Sequence, residues 1–263
     1  MRPLRVRLAA PAAVAVACVA ALGAAAPVAV HPGDTITDRQ LFAYLSLPVE
    51  AGDWVRYRVV FADRSTAMKT IGFGTESVAG TRTLFVETHV STQAVTGLPA
   101  ETAVGIGTDA VLKTYVAGAA FGDLAHPYTV ITSALKVGAM EYEVSPGAGQ
   151  TYSALAGTAV AQTRTGTIRS VQPVDLHVGS QTLHTVHIVA SFDAAPLPVG
   201  GVALAYTLEV WQSPDAPLGT VAISSGGSHR VEWRLVAYGR GGYRSLFSKT
   251  LDQIRQTSKP TMP

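Results

Sequence analysis

The sequence predicts a mainly β protein, an antiparallel meander with a few short helices, and three observations lead there. Apolar side chains recur at every second residue in segment after segment, which is the period of a strand with one dry and one wet face. Short turn signatures built from Gly, Ser, Asp and Pro separate these segments and are brief enough to join sheet neighbours. Helical periodicity is scarce, and the apolar runs are too regularly broken by polar residues for the doubly covered strands of a parallel sheet.

The chain begins MRPLRVRLAAPAAVAVACVAALGAAA, with Arg2, Arg5 and Arg7 followed by an uncharged apolar stretch, the layout of a secretory signal peptide. We therefore expect export to the periplasm or the exterior, with cleavage between residues 23 and 31. The expected organisation is a leader over 1–27, a single β-rich domain over 28–245, and a short helix with a basic C-terminal tail over 246–263. The stretch from Leu8 to Ala26 is about long enough to span a bilayer, but alanine makes it a weak anchor. Cys18 is the only cysteine, so the mature chain is expected to have no disulfide and no thiol chemistry. Lipid attachment at Cys18 is the alternative; the preceding Ala15, Val16 and Ala17 are a poor approach to it, and the apolar residues continue past it.

Without the leader's three arginines, 17 Lys and Arg stand against 18 Asp and Glu. A near-neutral chain lacks the electrostatic footprint of a nucleic-acid binder. Residues 229–263 concentrate seven basic residues against two acids; this reads as a solvated tail, with contact to an anionic membrane as the alternative.

In TDRQLFAYLSL a cap at Thr37 and an apolar side at Leu41, Phe42 and Leu45 predict a short helix before the first strand. DWVRYRVVF then puts Val55, Tyr57, Val59 and Phe61 on one face and Trp54, Arg56 and Arg58 on the other, where they read as a solvated outer surface. TRTLFVETHV sets Leu84, Val86 and Val90 against Glu87 and His89. Residues 101–157 show no clean period. LAYTLEVW aligns Leu204, Tyr206, Leu208 and Val210, and HRVEWRLVAY aligns Val231, Trp233, Leu235 and Ala237. Near the end, SLFSKTLDQIRQTS predicts a second helix through Leu246, Phe247, Leu251 and Ile254. The count is eight to ten strands.

In LEVWQSPDAPLGT the alternation stops at a proline that cannot donate a ladder hydrogen bond, Pro217 stiffens the turn, and Gly219 permits the reversal into TVAIS. This reads as a corner between two strands rather than a catalytic loop.

The chain lacks a G-x-S-x-G elbow, an H-E-x-x-H helix and a strand-to-helix G-x-G-x-x-G turn; GIG at 105–107 and GAG at 147–149 are ordinary turn glycines. VDLHVGSQTLHTVHIV packs Asp175, His177, His184 and His187 into a short space. If Val178 opposes Thr182, then Leu176, Val178, Val186 and Ile188 share the dry face while Asp175, His177 and His187 share the wet one. His177 then lies about 13 Å from His187 at strand rise, too far for one ion, so neither a metal nor another cofactor is expected. Glu141 and Glu143 sit two apart in MEYEV and read as a solvated strand face with Arg or Lys partners.

The order GDWVRYRV, then VDLHVGSQTLHTVHI, EVWQSPDAPLGTVAI and EWRLVAYG resembles a group of secreted bacterial proteins of unassigned function whose sheets are similar to those of the LolA/LolB-like lipoprotein carriers. The resemblance covers most of residues 38 to 240, and its most specific part is W-x-S-P-x-x-P-L-G at Trp211 to Gly219. It implies a curved, unclosed half-barrel whose concave apolar side is covered by helices. On this footing the chain is expected to be a non-enzymatic envelope protein that holds a lipid or lipoprotein acyl chain. The expected ligand-lining residues are Val55, Tyr57, Val59, Leu84, Val86, Leu208, Val210, Trp233 and Leu235. The alternative is a module that uses the same fold to bind an envelope protein partner.

Overall fold

A computed structural model describes residues 30–37, 40–41, 48–61, 64–92, 110–116, 128–144, 151–152, 164–196, 202–203, 205–226 and 232–258. The leader, residues 42–47 of the first expected helix, Leu204, Val231, both turn-glycine motifs and the last five residues lie outside these. The strands are β1 (Thr35–Thr37), β2 (Trp54–Val60), β3 (Thr66–Val78), β4 (Thr81–Thr92), β5 (Ala110–Val116), β6 (Tyr128–Val137), β7 (Met140–Val144), β8 (Thr151–Tyr152), β9 (Thr165–Val178), β10 (Gln181–Phe192), β11 (Ala195–Pro196), β12 (Val202–Ala203), β13 (Tyr206–Gln212), β14 (Thr220–Ser225) and β15 (Glu232–Gly239), followed by the helix α1 (Leu251–Ser258).

One antiparallel sheet runs in the order β1-β9-β10-β13-β14-β15-β2-β3-β4-β5-β6-β7, with β8 also paired to β6 and β11-β12 forming a separate pair. The sheet is mainly β and unclosed, as the sequence predicts, but it is longer than eight to ten strands. It is also not one simple meander. The run from β2 to β7 and the run from β9 to β15 are each sequential, and the pairing of β15 with β2 splices them.

Turn chemistry sets the hairpins. Ala79 (φ 48°) and Gly80 (φ 78°) are both left-handed between Val78 and its partner Thr81, the two-residue turn whose twist suits adjoining strands. In the β9–β10 hairpin Gly179 (φ 60°) and Ser180 form the whole loop, and Val178 opposes Gln181 rather than Thr182. The expected register was therefore one residue out: a two-residue loop with a left-handed glycine matches strand twist better than the three-residue loop.

Register identifies one continuous apolar face, called here the inner face. Ile188, Val210, Ile223, Trp233, Val59 and Ala67 lie side by side from β10 to β3. The neighbouring row reads Leu235, Tyr57, Lys69, Val90, Ala110 and Val137. A bulge between Leu235 and Ala237 gives the next inner place to Tyr238, opposite Val55, and turns Ala237 outward beside Arg56. Strict alternation had assigned that place to Ala237, and the extra residue of the bulge is what shifts it.

The β9–β10 hairpin buries opposite faces at its two ends. Ile188, Ala190 and Phe192 pack in one cluster with Ile168, Leu208, Val210, Ile36 and Leu41. Leu183 and Val178, of the other parity, join the central cluster with Ala216, Leu218 and Leu235. A long hairpin coils strongly enough to present different faces along its length. This explains why Val186 is 36 % exposed and not on a dry face as expected.

The outer face of β3 to β6 is dry as well. Phe85, Val111, Tyr115 and Ala134 pack there against Phe247, Leu251 and Ile254. The C-terminal arm, residues 243–250, and α1 thus cover a surface that the Leu84-Val86-Val90 pattern had marked as wet. The helix begins at Leu251 and not at Ser245, because Thr250 caps it: the Gln253 amide donates to Thr250 Oγ1 at 3.3 Å while the Thr250 amide donates to Gln253 Oε1 at 2.8 Å, a reciprocal capping box. Thr37 and Gln40 make the same box at 3.1 and 2.9 Å, so Thr37 is the cap the sequence predicts.

Candidate functional site

All nine residues expected to line a ligand lie on the inner face, and eight are buried: Val55, Tyr57, Val59, Leu84, Val86, Leu208, Val210 and Leu235. Trp233 is half-buried and tilts against Tyr57 with ring centroids 5.8 Å apart. Tyr57 satisfies its phenol by donating to the Thr220 carbonyl at 2.9 Å, and burial raises its pKa above the ordinary tyrosine range. The corner after β13 packs here too. Ser213 donates its amide to the Gly219 carbonyl at 2.7 Å, Gly219 (φ 74°) donates to Ala216 at 3.0 Å, and Ala216 and Leu218 are fully buried. Pro214 and Asp215 at the tip are exposed while Ala216 to Thr220 are buried between the paired strands, the arrangement of a structural corner.

Lys69 interrupts this face. It belongs to the apolar parity of β3, with Ala67, Ile71 and Phe73, and is 8 % exposed. Its ammonium sits 4.3 Å from the centroid of Trp233, and burial pulls its pKa down to about 8. A cation over an indole gains about 0.5–2 kcal/mol, less than the several kcal/mol that a desolvated ion costs. Among the described residues no carboxylate pairs with it. Sequence reasoning passed over Lys69, although a lysine in phase with the dry residues of TAMKTIGFG was the available signal.

The outer face shows the contrasting, fully paired arrangement. Lys113 is also buried, but its Nζ lies 2.5 Å from Glu76 Oε2 and 3.3 Å from Ser245 Oγ, over the rings of Phe85 and Phe247. Glu76 Oε1 accepts in addition from the Tyr115 hydroxyl at 3.0 Å and the Leu251 amide at 2.7 Å. Glu87, fully buried, accepts from the Tyr243 hydroxyl at 2.8 Å, Ser245 Oγ at 2.6 Å and the Leu246 amide at 2.8 Å. Gly72 makes room for this contact, since a Cβ there would overlap the Tyr243 ring.

Glu141 and Glu143 belong to the same clasp. Glu141 pairs with Lys136 across the strands at 3.3 Å and receives the Ser248 and Lys249 amides at 2.7 and 3.0 Å, while Arg255 grips Glu143 through two bonds of 2.7 and 3.0 Å. The expected basic partners are present, and one of them comes from α1. For Glu141, burial pushes the pKa up but the bonds from Ser248, Lys136 and Lys249 outweigh it; for Glu143 the Arg255 bonds dominate; both carboxyls are held below the usual range. Arg255 of the basic tail is therefore engaged in a bidentate pair and not free in solvent, and Arg240 lies 3.5 Å from Asp53.

The histidines do not converge. In the observed register His177 opposes Thr182 and His184 opposes Asp175, with His184 Nδ1 2.7 Å from Asp175 Oδ1, a bond that raises the histidine's pKa. His187 instead stacks on Trp211 at 4.2 Å and approaches Glu209 at 3.2 Å. Among the described residues no three His, Cys, Asp or Glu side chains gather as a metal site would require.

No protein-family model matches the chain, and comparison with curated proteins and with solved structures brings out no relative.

Proposed function

We propose that this protein is an exported, non-enzymatic envelope component that holds an apolar ligand, a lipid or lipoprotein acyl chain, against the inner face of its sheet. The observation that carries the reading is the division of labour between the faces. The C-terminal arm and α1 pack on the outer face, so the helix described in full is not spent on the inner one. The inner face meanwhile keeps an apolar row continuous from β10 to β3. Most of that row is buried, and an apolar interior of that extent suits a chain-like ligand. The sequence resemblance to secreted proteins with LolA/LolB-like sheets points the same way. Native mass spectrometry of the protein purified from its host is the test: an acyl-bearing adduct that disappears on delipidation supports the reading, and a bare mass from every preparation opposes it.

A second reading, a docking module for an envelope protein, is favoured by β7. It is the terminal strand of the described path and exposes Met140 at 66 % and Tyr142 at 39 %, as a strand awaiting augmentation would. A stoichiometric protein partner lost on Tyr142→Lys, with no lipid adduct, selects this reading instead.

A further inference from the structure

We propose that the Lys69 ammonium anchors the carboxylate of a long-chain fatty acid whose acyl chain lies along the inner face. The inference deepens the acyl-chain reading above and rests on it. Two lysines are buried in this sheet, one on each side. Lys113 on the outer face is matched by Glu76 at 2.5 Å, whereas Lys69 on the inner face has an aromatic ring at 4.3 Å and no carboxylate among the described residues. A buried cation without an anion is the feature an anionic ligand completes.

The surroundings specify the kind of anion. Tyr57 and Val90 flank Lys69 in register on β2 and β4, and the Tyr57 hydroxyl is already committed to Thr220. A single ammonium framed by apolar side chains suits a monoanion on an apolar chain. A phosphate monoester, with two charges and more acceptor atoms, would need further donors, and none is aimed at this point by the described residues. The row that contains Lys69 continues as Leu235 on one side and Ala110 on the other, so an acyl chain has apolar contacts in both directions.

The test uses the delipidated full mature chain titrated with palmitate, methyl palmitate and hexadecyl phosphate, read by the fluorescence of Trp233 against a Trp233→Phe control and by native mass spectrometry. The parent should bind palmitate at least about tenfold more tightly than the ester, the scale of one charge-assisted contact. Lys69→Met should erase that preference while still binding the ester, and Lys69→Arg should keep most of it. Equal affinity of the parent for acid and ester, or a preference that survives Lys69→Met, overturns the anchor and leaves the acyl-chain reading standing. Tighter binding of hexadecyl phosphate than of palmitate overturns the carboxylate assignment. Absence of binding to all three sinks the acyl-chain reading and the anchor with it. Urea denaturation of each variant establishes that it is folded, and Lys69→Arg retains the charge, so the proposal stays testable even if the methionine variant does not fold.

Discussion

The Lys113–Glu76 pair predicts how firmly the C-terminal arm is held. In Lys113→Met the isosteric apolar chain keeps the packing on Phe85 and Phe247, so the change isolates the charge. Removing one partner from a buried pair costs about 3–5 kcal/mol, chiefly because the other charge is stranded. Here Glu76 keeps two donors, Tyr115 and the Leu251 amide, which places Lys113→Met near the lower end, at roughly 3 kcal/mol. Glu76→Gln strands the lysine with only Ser245 and the rings, and should cost at least as much. The double variant has no stranded charge and should recover part of the loss, giving a coupling on the order of 1–3 kcal/mol. Equilibrium urea unfolding supplies the free energies, and hydrogen exchange at the Leu246 and Leu251 amides tells whether the arm opens locally or with the whole sheet. A Lys113→Met variant within about 0.5 kcal/mol of the parent, or strictly additive losses, would refute the account of the arm as an electrostatically clasped element.

Three further outcomes are expected. Gly219→Val should destabilise the fold by at least about 1 kcal/mol in thermal or urea melts, since φ 74° at that buried corner is closed to a β-branched residue; a parent-like melt would remove the corner's structural role. Glu141 and Glu143 have folded pKa values below their unfolded ones, so their stabilisation is complete above about pH 4.3 and is lost as pH falls through the folded values. Protection factors at the Ser248 and Lys249 amides, referred to the intrinsic rate at each pH, should fall in that acid window, and unchanged protection contradicts the clasp. Lys69 gives a rise of the same sign at the alkaline end: its folded pKa of about 8 lies below the unfolded value, so the unfolded chain binds more protons between the two and stability rises by roughly 3 kcal/mol from pH 8 to 10.4. Lys69→Met should abolish that rise, and identical alkaline curves for parent and variant would show that the lysine is not desolvated.

The fold class was legible wherever a strand buries one face. β2 alternates buried Val55, Tyr57 and Val59 with exposed Arg56 and Arg58, and the sequence shows it directly. Legibility failed where both faces are covered. In β5 nearly every residue of AVLKTYV is buried, so no alternation survives, and this is why residues 110–116 resisted assignment. It failed again at Glu87, a fully buried carboxylate whose side of β4 read as wet. The partners that bury it, Tyr243, Ser245 and Leu246, lie more than 150 positions away along the chain. Local pattern contains no record of such a contact. The bulge after Leu235 is of the same kind, since pairing and not propensity decides it, whereas the one-residue slip in the β9–β10 hairpin is a misreading of local turn chemistry at Gly179.

The two buried lysines also bear on how the inner face is to be understood. Lys113 and Lys69 belong to adjacent parts of one sheet, on strands β5 and β3 that both flank β4, and each points into apolar surroundings. On the outer face the chain supplies Glu76, the ring contacts and a hydroxyl within reach of the ammonium. If the inner face served only as packed core, an aliphatic residue at position 69 would be the more stable choice, because no described side chain repays the desolvation of the charge. Retention of lysine there is explained when the counter-charge arrives from outside the chain. A packed core and a ligand-holding face thus make opposite demands on this one position. Binding of either palmitate or its methyl ester decides between them, and the contrast between the two ligands decides whether Lys69 supplies the anchor.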